Sequence, residues 1–366
     1  MMKKNKETKK MKIGIYSPYL DTLGGGERYI LSIARYLKSQ KDYAVYIYGD
    51  VRLREKIESM LSIDLSGVYF LPQSQIIKTG PLSKIIRPRM YDIFFYMTDG
   101  SLFFPIAKRN FLIMQSPIHL TKKSLLNKVK LHNWEILCYS EFMAGVIFDR
   151  LGLEATVLSP PVETEKLQYS GEKKQNIILS VGRFFINPHN KKQEFLIDVF
   201  RRSYKKYFSG WKLILAGGFL PSKKTNIEMN RLKETIGSFP IEFYTNVNFH
   251  ELVRLYRKSK IYWHATGYGE DLQLYPERAE HFGITTLEAM SAQCVPVVFN
   301  GGGQVDIIND GIDGYFWKSE KELLYKTTIL MKDERLRKKM SLESVKRAAD
   351  FGPKKFYEKI DQILSE

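Results

Sequence analysis

The sequence predicts an α/β protein made of two doubly wound, Rossmann-like domains, and three observations carry that expectation. At 366 residues the chain is longer than one hydrophobic core usually serves, which favours two domains. Short β-branched and aromatic runs alternate with helical patterns along its length, the rhythm of parallel strands joined by crossover helices. That rhythm breaks once, at Ser159-Pro160-Pro161-Val162-Glu163 and the polar stretch ending at Lys174, where two prolines and a charged connector read as a hinge. The expected divisions are a disordered basic leader at 1–11, a first domain at 12–165 and a second at 172–348.

In the first half, residues 12–17, 44–48, 93–97, 111–115 and 135–140 are compact apolar runs and are expected as strands. In the second half the same argument selects 177–181, 213–216, 241–244, 261–264 and 295–299. Helical spacing of apolar residues fills the intervals at 26–38, 141–151, 192–204, 250–258 and 285–293. Strands of this kind place ligands at their carboxyl ends, so two such sheets facing each other would form one deep cleft.

Composition narrows the function classes. Hydrophobic residues make up 44% and charged residues 27%, the balance of an ordinary globular chain. No apolar run approaches the roughly 18–20 residues that span a bilayer, and the Lys-rich start has no apolar segment of a secretory signal. Cys138 and Cys294 are the two cysteines, expected as buried thiols in a reducing compartment and too few for a disulfide framework. The formal charge of +17 attracts anionic partners without choosing among phosphorylated substrates, acidic lipid and nucleic acid. No base-stacking module or helix-turn-helix signature points to nucleic acid. The run 120–130 places Leu125, Leu126 and Val129 among Lys122, Lys123, Lys128 and Lys130. Such a stretch either lies on an anionic membrane or packs its apolar stripe on the core.

Four segments carry chemistry. Glu280-His281-Phe282-Gly283-Ile284-Thr285-Thr286-Leu287-Glu288 holds two carboxylates eight positions apart around a glycine and a helix start. Amides at a helix start meet phosphate, whereas carboxylates meet sugar hydroxyls, and a nucleotide sugar carries both. The competing reading is a capping box over Thr285–Glu288, which would make Glu288 structural. A long glycine-containing loop from Thr266 to Glu280 favours the functional reading. Gly24-Gly25-Gly26 opens a helix after the first strand and permits close backbone approach, as any tight turn would. Ser180-Val181-Gly182-Arg183 ends a strand, and Asn190-Lys191-Lys192 opens the next helix. Arg183 and Lys191 there would offset charge growing on a departing diphosphate. His119 and Asp99 follow strand ends, positions that suit either a site or a surface turn. No cluster of Cys and His has metal-ligand spacing.

Taken in order, these segments resemble the retaining GT-B glycosyltransferases of family 4. Gly24-Gly25-Gly26-Glu27-Arg28 is similar to the family's GGxER loop. Gly182-Arg183, Lys191 and Leu196-Ile197-Asp198-Val199-Phe200 resemble its GR…K…LIxAF element. Glu280 to Glu288 resembles its E-x7-E motif, and the segment from Asn300-Gly301-Gly302-Gly303 to Gly314 resembles the glycine-rich stretch that follows. The resemblance implies a GT-B fold, with an acceptor domain first, a donor domain second and a C-terminal helix, 352–366, crossing back to the first. It implies that Arg183 and Lys191 hold the donor diphosphate, aided by backbone amides from Gly283 through Ile284 and Thr285 to Thr286. Glu288 would bond the ribose and Glu280 would sit beside the transferred sugar. Gly25 and Gly26 would let their loop close over the donor. No metal or cofactor is implied. Two departures stand out: Gln115 occupies a position where many relatives have histidine, with His119 four residues on, and Lys192 replaces the usual glycine after the phosphate-binding lysine.

The expected activity is retaining sugar transfer from a nucleotide-diphosphate donor to a glycan or lipid-linked acceptor, in the cytoplasm or at the inner membrane face, with no nucleic acid involved. The alternatives are a GT-B nucleotide-sugar epimerase and a non-catalytic nucleotide- or polyanion-binding protein.

Overall fold

The computed structural model describes residues 10–22, 24–61, 63–73, 90–185 and 190–366. Most of the expected leader therefore lies outside the described residues, as does Leu23 of the glycine loop. The chain divides into two compact units. One holds the chain up to Ser159 together with Tyr357–Glu366, and the other holds Pro160–Phe356.

Among the described residues, the first unit carries β1 (Met11–Tyr16), β2 (Tyr43–Tyr48), β3 (Tyr69–Leu71), β4 (Tyr91–Met97), β5 (Ala107–Ile113), β6 (Glu135–Cys138) and β7 (Thr156–Val157). They form one sheet in the order β3-β2-β1-β4-β5-β6-β7, every pairing parallel. Strand β4 is buried along nearly its whole length, as a parallel strand covered on both faces must be. Phe94, Tyr96, Leu112, Trp134 and Ile147 form the core beside it. Four helices of this unit are α1 (Gly25–Ser39), α2 (Leu53–Leu61), α3 (Leu125–Leu131) and α4 (Glu141–Leu151).

The second unit carries β8 (Gln175–Val181), β9 (Lys212–Gly217), β10 (Ile241–Thr245), β11 (Ser259–His264), β12 (Val295–Phe299) and β13 (Tyr315–Trp317), in the parallel order β10-β9-β8-β11-β12-β13. Its helices are α5 (Thr164–Leu167), α6 (Gln193–Ser203), α7 (Lys223–Ile236), α8 (Phe249–Lys258), α9 (Ile284–Ser291), α10 (Gln304–Ile307), α11 (Glu320–Lys332) and α12 (Glu334–Ala349). Trp263 and Trp317 are fully buried at the centre of its core.

A last helix, α13 (Pro353–Ser365), starts in the second unit and ends in the first. There the Tyr36 hydroxyl donates to Asp361 at 2.6 Å, and Arg109 donates to the carbonyls of Ile363 and Leu364 at 3.0 Å each. The expected return crossing is thus present. All ten expected strands form. The three short edge strands β3, β7 and β13 were not expected, because two or three residues are too few to display a period. Strand β5 ends at Ile113, so Gln115 lies beyond it rather than within it.

Both sheets reverse their winding at one place, between β1 and β4 in the first and between β8 and β11 in the second. Such switch points open a crevice at the carboxyl ends of the two strands. In the second unit those ends are Val181 and His264.

Candidate active site

At the second switch point, β8 runs into Gly182 and Arg183. A Cβ at Gly182 would lie 2.7 Å from Lys191 Cγ, so only glycine lets the lysine chain cross the strand end. Gln193, the first residue of α6, is buried and donates its side-chain amide to the carbonyls of Gly182 and Arg183, both at 3.2 Å. The turn before it is shaped by Asn190, whose Oδ1 accepts from the Lys192 amide at 2.6 Å. Lys192 itself is left-handed, with φ 55° and ψ 34°. These bonds leave the Arg183 side chain exposed at the strand end and bring Lys191 to Glu280.

Glu280 is the centre of the arrangement. Lys191 Nζ donates to its Oε2 at 2.6 Å, and His264 Nε2 is hydrogen-bonded to the same oxygen at 2.9 Å. The Thr266 hydroxyl lies 3.1 Å from that histidine nitrogen. His264 is fully buried, and burial pushes its pKa below the usual value despite the raising effect of Glu280. A neutral imidazole beside an ion pair orients the carboxylate without adding a second cation.

Glycines hold the backbone of this segment. Gly303 donates its amide to the Glu280 carbonyl at 2.7 Å. A Cβ on Gly302, where φ is +64°, would lie 2.2 Å from that carbonyl oxygen, and one on Gly303 would lie 2.4 Å from the His281 oxygen. The glycine-rich stretch after β12 therefore seats the first carboxylate of the pair.

Helix α9 begins at Gly283, with φ +120°, and no side chain caps it. The amides of Gly283, Ile284 and Thr285 have no intrahelical carbonyl to meet and form the positive end of the helix. The Thr286 amide is different, since it donates to the Gly283 carbonyl at 3.0 Å inside the first turn. The Tyr262 hydroxyl joins Thr285 Oγ1 at 2.8 Å and the Val181 carbonyl at 3.4 Å, fixing this helix start against the end of β8. The capping box over Thr285–Glu288 does not form. Thr285 lies inside the helix, and Glu288 Oε2 instead accepts from the Tyr256 hydroxyl of α8 at 2.8 Å.

Arg183, Lys191, Glu280, the α9 amides and Glu288 thus gather at one switch point. Cations and helix amides there can receive an anion, while two carboxylates can receive hydroxyl groups. The family model for glycosyl transferases group 1 matches residues 162–347, which is half of the chain. The chain belongs to this family. It is a glycosyltransferase.

Relatives of this glycosyltransferase extend the likeness over both units. It is 24% identical to the alpha-1,3/1,6-mannosyltransferase ALG2 of Dictyostelium discoideum, over 99% of each chain. It is 26% identical to the amylovoran biosynthesis glycosyltransferase AmsD of Erwinia amylovora, over 53% of this chain and 49% of that one. Among solved structures, HepE of Anabaena in complex with UDP and glucose matches with a TM-score of 0.69 and 16% identity, over 97% of this chain and 99% of the other. Sucrose-phosphate synthase of Thermosynechococcus elongatus matches equally well in fold, at 0.69 and 15% identity, over 97% and 98%.

In the first unit of the glycosyltransferase, Gly25 and Gly26 are the first two residues of α1. Glu27 folds back to accept from the Gly24 amide at 2.7 Å and from the Thr22 hydroxyl at 2.9 Å. Gly26 faces Gln115, whose Oε1 would lie 2.3 Å from a Cβ there and accepts from the Tyr139 hydroxyl at 3.2 Å. His119 stacks on Tyr19 with ring centroids 5.5 Å apart, its Nε2 3.5 Å from the tyrosine hydroxyl, and burial lowers its pKa. Gln115 contacts the glycine turn and His119 does not replace it there.

Sequence reasoning missed four participants: His264, Tyr256, Tyr262 and the Lys192–Glu270 pair. His264 read only as the end of a strand, although a polar residue closing an apolar run at a sheet's carboxyl edge was a usable signal. The two tyrosines were indistinguishable from core aromatics until their hydroxyls were placed. Lys192 stood out only as a departure from the usual glycine. Its Nζ donates to Glu270 at 2.5 Å, and Arg278 donates to the other oxygen of Glu270 at 2.7 Å. Among the described residues, no group of three or more His, Cys, Asp and Glu side chains is placed to hold a metal ion.

Proposed function

We propose that the protein transfers a sugar from a nucleotide-diphosphate donor to a hydroxyl of a glycan or lipid-linked intermediate, with retention at the anomeric carbon. The observation that carries this reading is the meeting of Arg183, Lys191 and the uncapped start of α9 beside two carboxylates. Cleavage of the glycosidic bond builds negative charge on the leaving diphosphate. Arg183, Lys191 and the amides of Gly283, Ile284 and Thr285 stabilise that added charge on the leaving diphosphate more than they stabilise the less highly charged diphosphate of the intact donor, which is the condition for catalysis. Glu280 positions the transferred sugar and Glu288 bonds the ribose, taking over the role of the Tyr256 hydroxyl. A carboxylate engaged by Lys191 and His264 is a poor nucleophile for double displacement, so a front-face route fits better, with the leaving phosphate receiving the acceptor's proton. No metal or cofactor enters the proposal. The setting proposed is the cytoplasmic face of an anionic membrane.

Support from the relatives is consistent in kind. ALG2 is a mannosyltransferase, and the HepE structure is a complex with UDP and glucose. The test is turnover of a panel of nucleotide sugars with the anomeric configuration of the product read by NMR. An axial donor giving an axial product supports retention, and inversion overturns it. Conversion of the donor with no acceptor present would instead indicate an epimerase.

A further inference from the structure

The connection between β5 and β6 contains a helix that does not do what crossover helices do. A crossover helix ordinarily packs its apolar stripe on the sheet. Helix α3 buries none of its residues. Leu125, Leu126 and Val129 are 83%, 58% and 57% exposed, and their spacing puts them on one side of the helix. Ile118, in the turn before it, is 52% exposed. Of the two readings open for this stretch, packing of Leu125, Leu126 and Val129 on the core is therefore excluded.

The helix is nonetheless held firmly. Ser124 caps it by accepting from the Asn127 amide at 3.1 Å, and the Asn127 side chain donates to the Lys122 carbonyl at 2.8 Å. At the far end Leu131 packs on the core, Lys130 donates to the Leu102 carbonyl at 3.0 Å, and Trp134 is buried. Lys130 is thus committed to the fold, while Lys122, Lys123 and Lys128 are exposed around the aliphatic face. From Gly100 to Trp134 the sequence contains no Asp or Glu.

We propose that this connection docks the protein on an anionic lipid bilayer, with Leu125, Leu126 and Val129 entering the interface and Lys122, Lys123 and Lys128 meeting lipid phosphates. The chemistry distinguishes a bilayer from a protein partner. Protein interfaces are enriched in aromatic residues and arginine and depleted in lysine, whereas residues 120–131 contain exposed aliphatic side chains and lysines and no aromatic residue or arginine. Aliphatic side chains ringed by flexible lysines, without carboxylates, are the composition of an interfacial anchor on acidic lipid. The inference deepens the lipid-linked reading of the acceptor and rests on it for its purpose, since docking brings the enzyme to an acceptor held in the membrane.

The experiment is sedimentation of the full chain with vesicles of phosphatidylcholine alone or with 30% phosphatidylglycerol, a composition chosen at roughly physiological anionic content. Binding is expected on the acidic vesicles only and is expected to fall steeply as salt rises. The triple variant Lys122→Glu, Lys123→Glu, Lys128→Glu is expected to lose roughly 100-fold in partitioning, at about fivefold for each lysine removed. Replacing Leu125, Leu126 and Val129 by serine is expected to weaken binding without changing charge. As a control, Lys223, Lys224 and Lys233 of α7, all exposed, are changed to glutamate. An equal loss in that control shows diffuse attraction to a basic protein and overturns the docking face, as does equal binding to neutral vesicles. Nucleoside diphosphate binding is measured on the same preparations. A wild type that binds nucleotide but not acidic vesicles counts against the docking face alone, while absent nucleotide binding in the wild type counts against the transferase reading.

Discussion

Glu280 accepts from a lysine and from a histidine at one oxygen, and the two donors have different consequences. Lys191 supplies charge, so its loss and that of Arg183 should be felt chiefly in the transition state. Each of Arg183→Ala and Lys191→Ala is expected to lower kcat/KM by roughly 10²–10³, the effect of removing one preorganised donor from a developing anion. Steady-state kinetics with the best donor checks this, and a loss under tenfold in both contradicts the assigned roles. His264 supplies orientation and a pH dependence. Its folded pKa is below the usual 6.5, so its contribution to stability is complete above that value and drains away as pH falls toward the folded value. The slope of unfolding free energy against pH below about 6.5 should flatten in His264→Gln. An unchanged slope would mean that another group governs the acid limb.

At the scale of elements, two short segments position the site and each makes a separate prediction. Lys192 sits in a left-handed conformation that costs a residue with a Cβ about 1–2 kcal/mol. Its ion pair with Glu270 offsets part of that cost and ties the 190–193 turn to the 267–280 loop. Lys192→Ala keeps the strain and loses the pair, so it is expected to destabilise by about 1 kcal/mol. Lys192→Gly loses both and should be nearly neutral, as denaturant titration of the two variants would show; equal losses contradict the account. In the glycine-rich stretch, Gly302→Ala must push a methyl into the Glu280 carbonyl and is expected to cost at least 2–3 kcal/mol. Gly311→Ala, at a similar φ but in open space, should cost about 1 kcal/mol. Comparing the two separates backbone strain from collision.

These segments also show what was legible beforehand. Apolar runs such as Val295–Phe299 announce buried parallel strands because every residue faces a helix layer, and the boundaries came out within a few residues. Glu280 and Glu288 could be paired from their spacing, but their partners could not. His264, Tyr256 and Tyr262 reach the site only through the register of β11 beside β8 and the packing of α8, neither of which is written in local periodicity. The capping box at Thr285 was a valid local pattern that lost to the positive-φ glycine two residues earlier, which starts the helix at Gly283. Helix α3 kept its amphipathic pattern, and of its two readings the one that required burial failed, since patterns report a face and not what covers it.

For the molecule as a whole, two parallel sheets with switch points at β1/β4 and β8/β11 separate the tasks. The second unit holds the cations and carboxylates, while the first holds the glycine turn at Gln115 and the exposed face of α3. The return of α13 to the first unit joins the chain's end to Tyr36 and Arg109, away from both crevices in sequence. A ligand present at 100 times its Kd stabilises the native state by about 2.7 kcal/mol, so nucleotides can be ranked by thermal shift before any acceptor is known. The measurement that bears most directly on the central claim is calorimetric titration of the highest-ranked nucleoside diphosphate into wild type, the Arg183→Ala/Lys191→Ala double variant and Glu288→Gln. The account predicts a single site in the wild type, affinity at least 100-fold weaker in the double variant, and a smaller loss in Glu288→Gln that disappears when inorganic diphosphate replaces the nucleotide. Wild-type affinity retained by the double variant would contradict it.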